Sequence, residues 1–242
     1  MNRRHLNHIL LALALAPFVG AQEDPPSREI ALRIACFRFV DGVNTASFQA
    51  AEGQGFLAIP FFQGGFTSPK KIKIKGNSID FLQQKPGDDG EITLKKIAGA
   101  TIAEDTREAS ILLLPAPAGS DLVYNAVVMP GERDFPFGHV LMMNLTATDM
   151  KIAIGQKVVE LPGKQVKITD PKPSIDEFNM YPVAIAYQMA DSTEWVTMHT
   201  TRWQWNERVR QIAIAWFDDQ NQKPEVSTMR DIQEVVAPAP NP

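Results

Sequence analysis

The chain has 242 residues, 44% of them hydrophobic and 21% charged, with 24 lysines and arginines against 28 aspartates and glutamates. That composition belongs to a globular protein, and its mild acidity argues against nucleic acid, whose binders need basic patches to displace counterions. The sole cysteine, Cys36, excludes an intramolecular disulfide, so stability has to come from burial.

Residues 1–21 read as a secretory signal peptide. Arg3 and Arg4 precede the apolar run from Ile9 to Val19, and "VGA" closes it ahead of Gln22. The run is too short to span a bilayer, which needs about 20 apolar residues. Cleavage after Ala21 removes both arginines and no acid, leaving 22 basic against 28 acidic residues. The expected product is exported, periplasmic or extracellular, without a transmembrane segment. Cys36 does not fit a lipid-attachment site, because Arg33 stands where an apolar residue is wanted and the signal core lies far upstream.

Residues 22–28 form a polar leader and residues 236–242 a proline-rich tail expected to be disordered. Between them, apolar residues recur with period two rather than three and four, which predicts strands throughout. In "KIKIKGNSIDFLQQ", Ile72 and Ile74 alternate with lysines, Gly76-Asn77 suits a tight hairpin, and Ile79 and Phe81 resume the apolar face. "GDDGE" at 87–91 reads as a hairpin tip. "GHVLMMNLT" is apolar on both parities and predicts a central strand buried on both faces, with Asn144 or Thr146 closing the next turn. Near the end, "PVAIAYQMA", "EWVTMHTTRWQW", "RVRQIAIAWF" and "PEVSTMRDI" predict a four-strand meander.

The fold class expected is therefore all-β. A turn signal every eight to twelve residues points to two antiparallel, immunoglobulin-like β-sandwiches, at 29–106 and 107–235, separated by the composition break "AEDTREAS"; one continuous domain is the alternative.

The familiar chemistries are missing. His139 and His199 lack partners at metal-ligand spacing, no G-x-S-x-G elbow occurs, and neither nucleotide fingerprint appears. The adjacent acids Asp218-Asp219 and Asp176-Glu177 look like solvated turns rather than a pair with separated pKa values. No enzyme activity, cofactor or metal is expected. Two binding surfaces suggest themselves. All four tryptophans fall between Trp195 and Trp216. In a regular strand Trp195, Trp203 and Trp205 share one face, and Trp203 with Trp205, edged by His199 and Arg202, would make a platform for sugar rings. The glycine-rich stretch from Ala51 to Pro69 carries Phe56, Phe61, Phe62 and Phe66 and would suit a protein partner. The lysines at 70, 71, 73 and 75 read as protection of an edge strand.

"FPFGHVLMMNLT" and "MKIAIGQKVVELPGKQ" resemble uncharacterised secreted bacterial β-sandwich proteins with an F-P-x-G start, an N-L-[ST] strand end and a P-G turn. Here these are Phe135, Pro136, Gly138, Asn144, Leu145, Thr146, Pro162 and Gly163. A fainter similarity, through the N-L-T pattern, is to periplasmic adaptors of polysaccharide-modification systems. The two-sandwich plan is also similar to that of pilus chaperones, whose paired basic anchors have no match here. The resemblance implies an envelope protein with no assigned activity. The function expected is a non-catalytic binding or scaffold protein with an envelope protein partner; the alternative is a carbohydrate-binding module for polysaccharide.

Overall fold

The computed structural model describes residues 26–52, 55–87, 91–189 and 192–234. The expected signal peptide and the C-terminal tail lie outside these residues. The described chain is all-β, with one short 3-10 turn at Lys172–Ser174 and no helix long and apolar enough to cross a membrane.

The strands are β1 Ser27–Cys36, β2 Thr45–Gln49, β3 Phe56–Pro60, β4 Lys70–Lys75, β5 Ser78–Pro86, β6 Ile92–Thr101, β7 Glu108–Pro115, β8 Tyr124–Val128, β9 Val140–Asn144, β10 Met150–Ile154, β11 Lys157–Leu161, β12 Val166–Thr169, β13 Met180–Gln188, β14 Trp195–Gln204, β15 Val209–Asp218 and β16 Lys223–Ile232. Ser27 and Arg28, expected in the leader, already belong to β1. Arg28 anchors the strand start by donating to the carbonyls of Gly76, Ala103 and Thr106.

β1 to β8 form one eight-stranded sheet that folds over at the Gly76-Asn77 turn. β4 and β5 pair only at Lys75 and Ser78. β4 then runs along β1, while β5 runs along β6, so the expected hairpin is a corner between two leaves. One leaf is β4-β1-β7-β8 and the other β3-β2-β5-β6. Their facing residues form a single core: Ile30, Leu32 and Ile34 of β1, Ile72 and Ile74 of β4 and Ile111 and Leu113 of β7, against Phe48, Ile79, Phe81 and Ile97. β7 pairs in parallel with β1. The sheets therefore change after Val128, and the composition break at 103–110 is a crossover within the first half of the chain rather than a boundary at 106.

Residues 140 to 232 form two four-stranded sheets, β12-β9-β15-β16 and β11-β10-β13-β14. The expected meander is two hairpins: β13 pairs with β14 and β15 with β16, but β14 and β15 lie in different sheets. Val140, Met142, Ile152, Ile154, Tyr181, Val183 and Ile185 fill the space between these sheets.

The double-sided strands decide the whole arrangement. Every residue of β9 is buried, as its unbroken apolar run predicts. Leu141 and Met143 face away from the second core and meet Ile212 and Ile214 of β15, Leu112 and Leu114 of β7, and Ala35 and Phe37 at the end of β1. A third apolar layer thus joins the two halves of the chain.

Buried polar groups fix the turns. Asn144, 1% exposed, donates to the carbonyls of Thr148, Leu161 and Pro162, and its Oδ1 accepts from the Thr146 backbone N–H and hydroxyl. Gly138 takes φ +83°, and a Cβ there would come within 3.2 Å of Trp205 Nε1, which donates to the Gly138 carbonyl.

Candidate contact surfaces

The tryptophan platform does not form. β14 carries a bulge at Met198, where His199 stands opposite Ile185 and Thr197 opposite Ala186. An extra residue reverses the alternation of side chains. Trp195 pairs with Gln188 on the outer face, whereas Trp203 pairs with Tyr181 on the inner face and meets its ring edge-on at 6.2 Å. Trp203 and Trp205 both pack against the second core. Trp205 lines a cavity of only about 90 Å³ with His139, Tyr181 and Gln211. His199 is exposed, and Arg202 is exposed and ion-paired to Asp176. Trp195 remains 37% exposed, with the Lys151 ammonium 4.1 Å from its ring centre. Four residues expected to act together are divided between a core and two surfaces.

The aromatic loop also divides. Phe61 is 1% exposed and packs edge-on against Tyr124 at 5.8 Å. Phe66 is half-buried against the layer joining the two halves, under the Arg33 guanidinium at 5.3 Å. Gly64 and Gly65 lie along β16: Gly65 bridges to Arg230, and the Arg230 N–H donates to the Gly64 carbonyl. Phe62 points out, 57% exposed, with Phe39 38% exposed on the neighbouring loop, and Phe56 at the start of β3 is 47% exposed. Both loops are held from beneath. Phe61 touches Phe39 at 6.3 Å, Phe62 O accepts from Cys36 N–H, and the Tyr124 hydroxyl accepts from Val40 N–H and donates to Val43 O. Burial pushes the Tyr124 phenol up to about 12 and the Cys36 thiol up to about 11, so both are neutral hydrogen-bonding groups at neutral pH. Phe217, 42% exposed, belongs to the same end of the molecule, since Trp216 beside it meets Phe37 edge-on and carries the Arg38 guanidinium 4.1 Å from its ring centre.

The sequence reading missed a charged cluster between the halves. Asp231, 4% exposed at its side chain, is ion-paired with Arg33 at 2.7 Å and Arg210 at 2.8 Å. Arg210 also donates to Phe135 O and stacks over Phe137 at 4.2 Å. The signal was parity: Arg33 alternates with Leu32 and Ile34, which leaves it on the face shared with Ala35 and Phe37, buried by the second half. Both arginines border a cleft of about 470 Å³ with Met129, Glu108 and Glu132. Their guanidiniums already serve Asp231, so the cluster is a structural joint. No group of three or more His, Cys, Asp or Glu side chains is placed to hold a metal ion among the described residues.

Set against known proteins, the chain matches no protein-family model and no curated protein at a significant level.

Proposed function

We propose that this protein is an exported, non-catalytic component of the cell envelope, built of two β-sandwiches, that acts as a binding or scaffold protein through protein–protein contacts. The observation that carries this reading is the pairing of exposure with rigidity at Phe62 and Phe39. Interface anchors are aromatic, and an anchor whose backbone is already fixed loses little freedom on binding. The basic, apolar and small-residue order of residues 1–21 supports export. The facing of sheets across two separate cores supports the sandwich plan. The residues that carry the resemblance to secreted bacterial proteins serve as framework, Asn144 and Gly138 above all.

The carbohydrate reading is less well supported, because the pair it relies on, Trp203 and Trp205, is packed against a core. A polysaccharide titration followed by tryptophan fluorescence is expected to stay flat.

The test is a photo-crosslinking side chain placed at Phe62 in producing cells, with exposed Lys157 as control. A discrete protein adduct from position 62 alone is expected. Equal adducts at both positions, or none, would overturn the reading.

A further inference from the structure

The hairpin of β5 and β6 outgrows the body that carries it. β2 pairs with β5 at Ser47 and Leu82, and beyond that point Gln83 to Pro86 pair only with Ile92 to Lys95. Ile97 forms a bulge at the root, opposite the Phe81–Leu82 step, and is itself buried in the core. Every residue from Glu91 to Lys96 is exposed. The ribbon is amphipathic. Pro86 pairs with Ile92 and Gln84 with Leu94, so one face carries Pro86, Ile92 and Leu94, with Ile92 66% and Leu94 42% exposed. The other face carries Gln83, Lys85, Thr93 and Lys95. A two-stranded ribbon with an apolar face is marginal in water, and a third or fourth strand is what stabilises it.

We propose that the outer edge of β6 pairs antiparallel with the same edge of a second copy of this chain, about a two-fold axis at Thr93. The segment Glu91-Ile92-Thr93-Leu94-Lys95 is complementary to its own reverse. In that register Thr93 faces Thr93 of the copy, Ile92 faces Leu94 twice, and Glu91 faces Lys95 twice. Opposite-charge and apolar cross-strand pairs both stabilise an antiparallel ladder. A lysine on an edge usually prevents such pairing. Here each Lys95 meets a carboxylate, whereas a slip of one residue sets Ile92 against Thr93 and Leu94 against Glu91, or Leu94 against Thr93 and Ile92 against Lys95, which breaks the match. The symmetry is isologous and closes as a dimer of arms, a four-stranded ribbon β5-β6-β6-β5. An edge of five residues lies at the small end of interfaces, so the dimer depends on concentration.

The inference is independent of the envelope-partner reading: Phe62→Asp removes the proposed partner contact and leaves this edge intact. Two measurements on the purified protein test it. Thr93→Cys is expected to form an intermolecular disulfide under mild oxidation, because directly opposed Cβ atoms lie about 4.5–5.5 Å apart. Leu94→Cys is not, because diagonal neighbours lie about 7–8 Å apart. Buried Cys36 stays unreactive in both. By sedimentation equilibrium, Lys95→Glu weakens association at least ~10-fold, equivalent to about 1.4 kcal/mol, and Glu91→Lys with Lys95→Glu restores it. A protein that stays monomeric at every concentration, equal crosslinking at 93 and 94, or association indifferent to Lys95→Glu would each overturn the proposal.

Discussion

At Asp231 one carboxylate is ion-paired with two guanidiniums beside a layer otherwise lined by apolar side chains. Removing one member of such a group leaves charge uncompensated where water is scarce, which costs more than the group contributes when intact. Asp231→Asn is therefore expected to lower unfolding free energy by about 3–5 kcal/mol in urea titration. Asn144→Ala removes the donor to the Thr148, Leu161 and Pro162 carbonyls and the acceptor for the Thr146 N–H, and should cost roughly 2–3 kcal/mol in the same assay. Together with Tyr181, whose phenol burial pushes up further still, the alkaline limit is set by Cys36 and Tyr124. Their folded pKa values, about 11 and about 12, lie above the ordinary 9.0 and 10.0. The unfolded chain thus loses these protons first. The stability they confer is complete below pH 9 and falls between pH 9 and 12. Urea midpoints measured at pH 7, 9 and 11 should hold between the first two and drop at the third.

Among the elements, those whose neighbours are fixed by local pattern were readable from sequence. The double-parity run of β9 has one physical solution, burial on both faces, and Gly138 sits where a side chain would crowd Trp205. Gly138→Ala should cost about 1–2 kcal/mol, through strain at positive φ, and shift tryptophan emission as the Trp205 contact loosens. The elements that escaped are those whose partners lie far along the chain. Nothing between Lys70 and Phe81 announces that β4 and β5 part company after one pair, because β1 and β6, their true neighbours, compete for them from elsewhere. The bulge in β14 is likewise set by β13, and one extra residue sufficed to move Trp195 to the face opposite Trp203. Phe61, Phe62 and Phe66 could be assigned to a loop but not ranked, since their exposure depends on Tyr124 and β16.

At the scale of the molecule, the layer between the halves makes them one cooperative body. β1, β7, β9 and β15 each serve a core on either face, so neither half has a finished surface without the other. Calorimetry should show a single transition, and Asp231→Asn should lower it without splitting it. A fragment ending after Val128 leaves Ala35, Phe37, Leu112 and Leu114 uncovered, and is expected to aggregate or bind a hydrophobic dye.

That shared layer also imposes an order in time. β9 and β15 lie side by side in parallel although some 70 residues separate them, and Met229 of β16 belongs to the same layer as Ala35 and Phe37 at the end of β1. Contacts that span the sequence so widely form late and slowly. A growing chain thus carries the apolar backs of β1 and β7 without cover through most of its synthesis. That layer is complete only once β16 has arrived, and until then its apolar residues depend on being shielded.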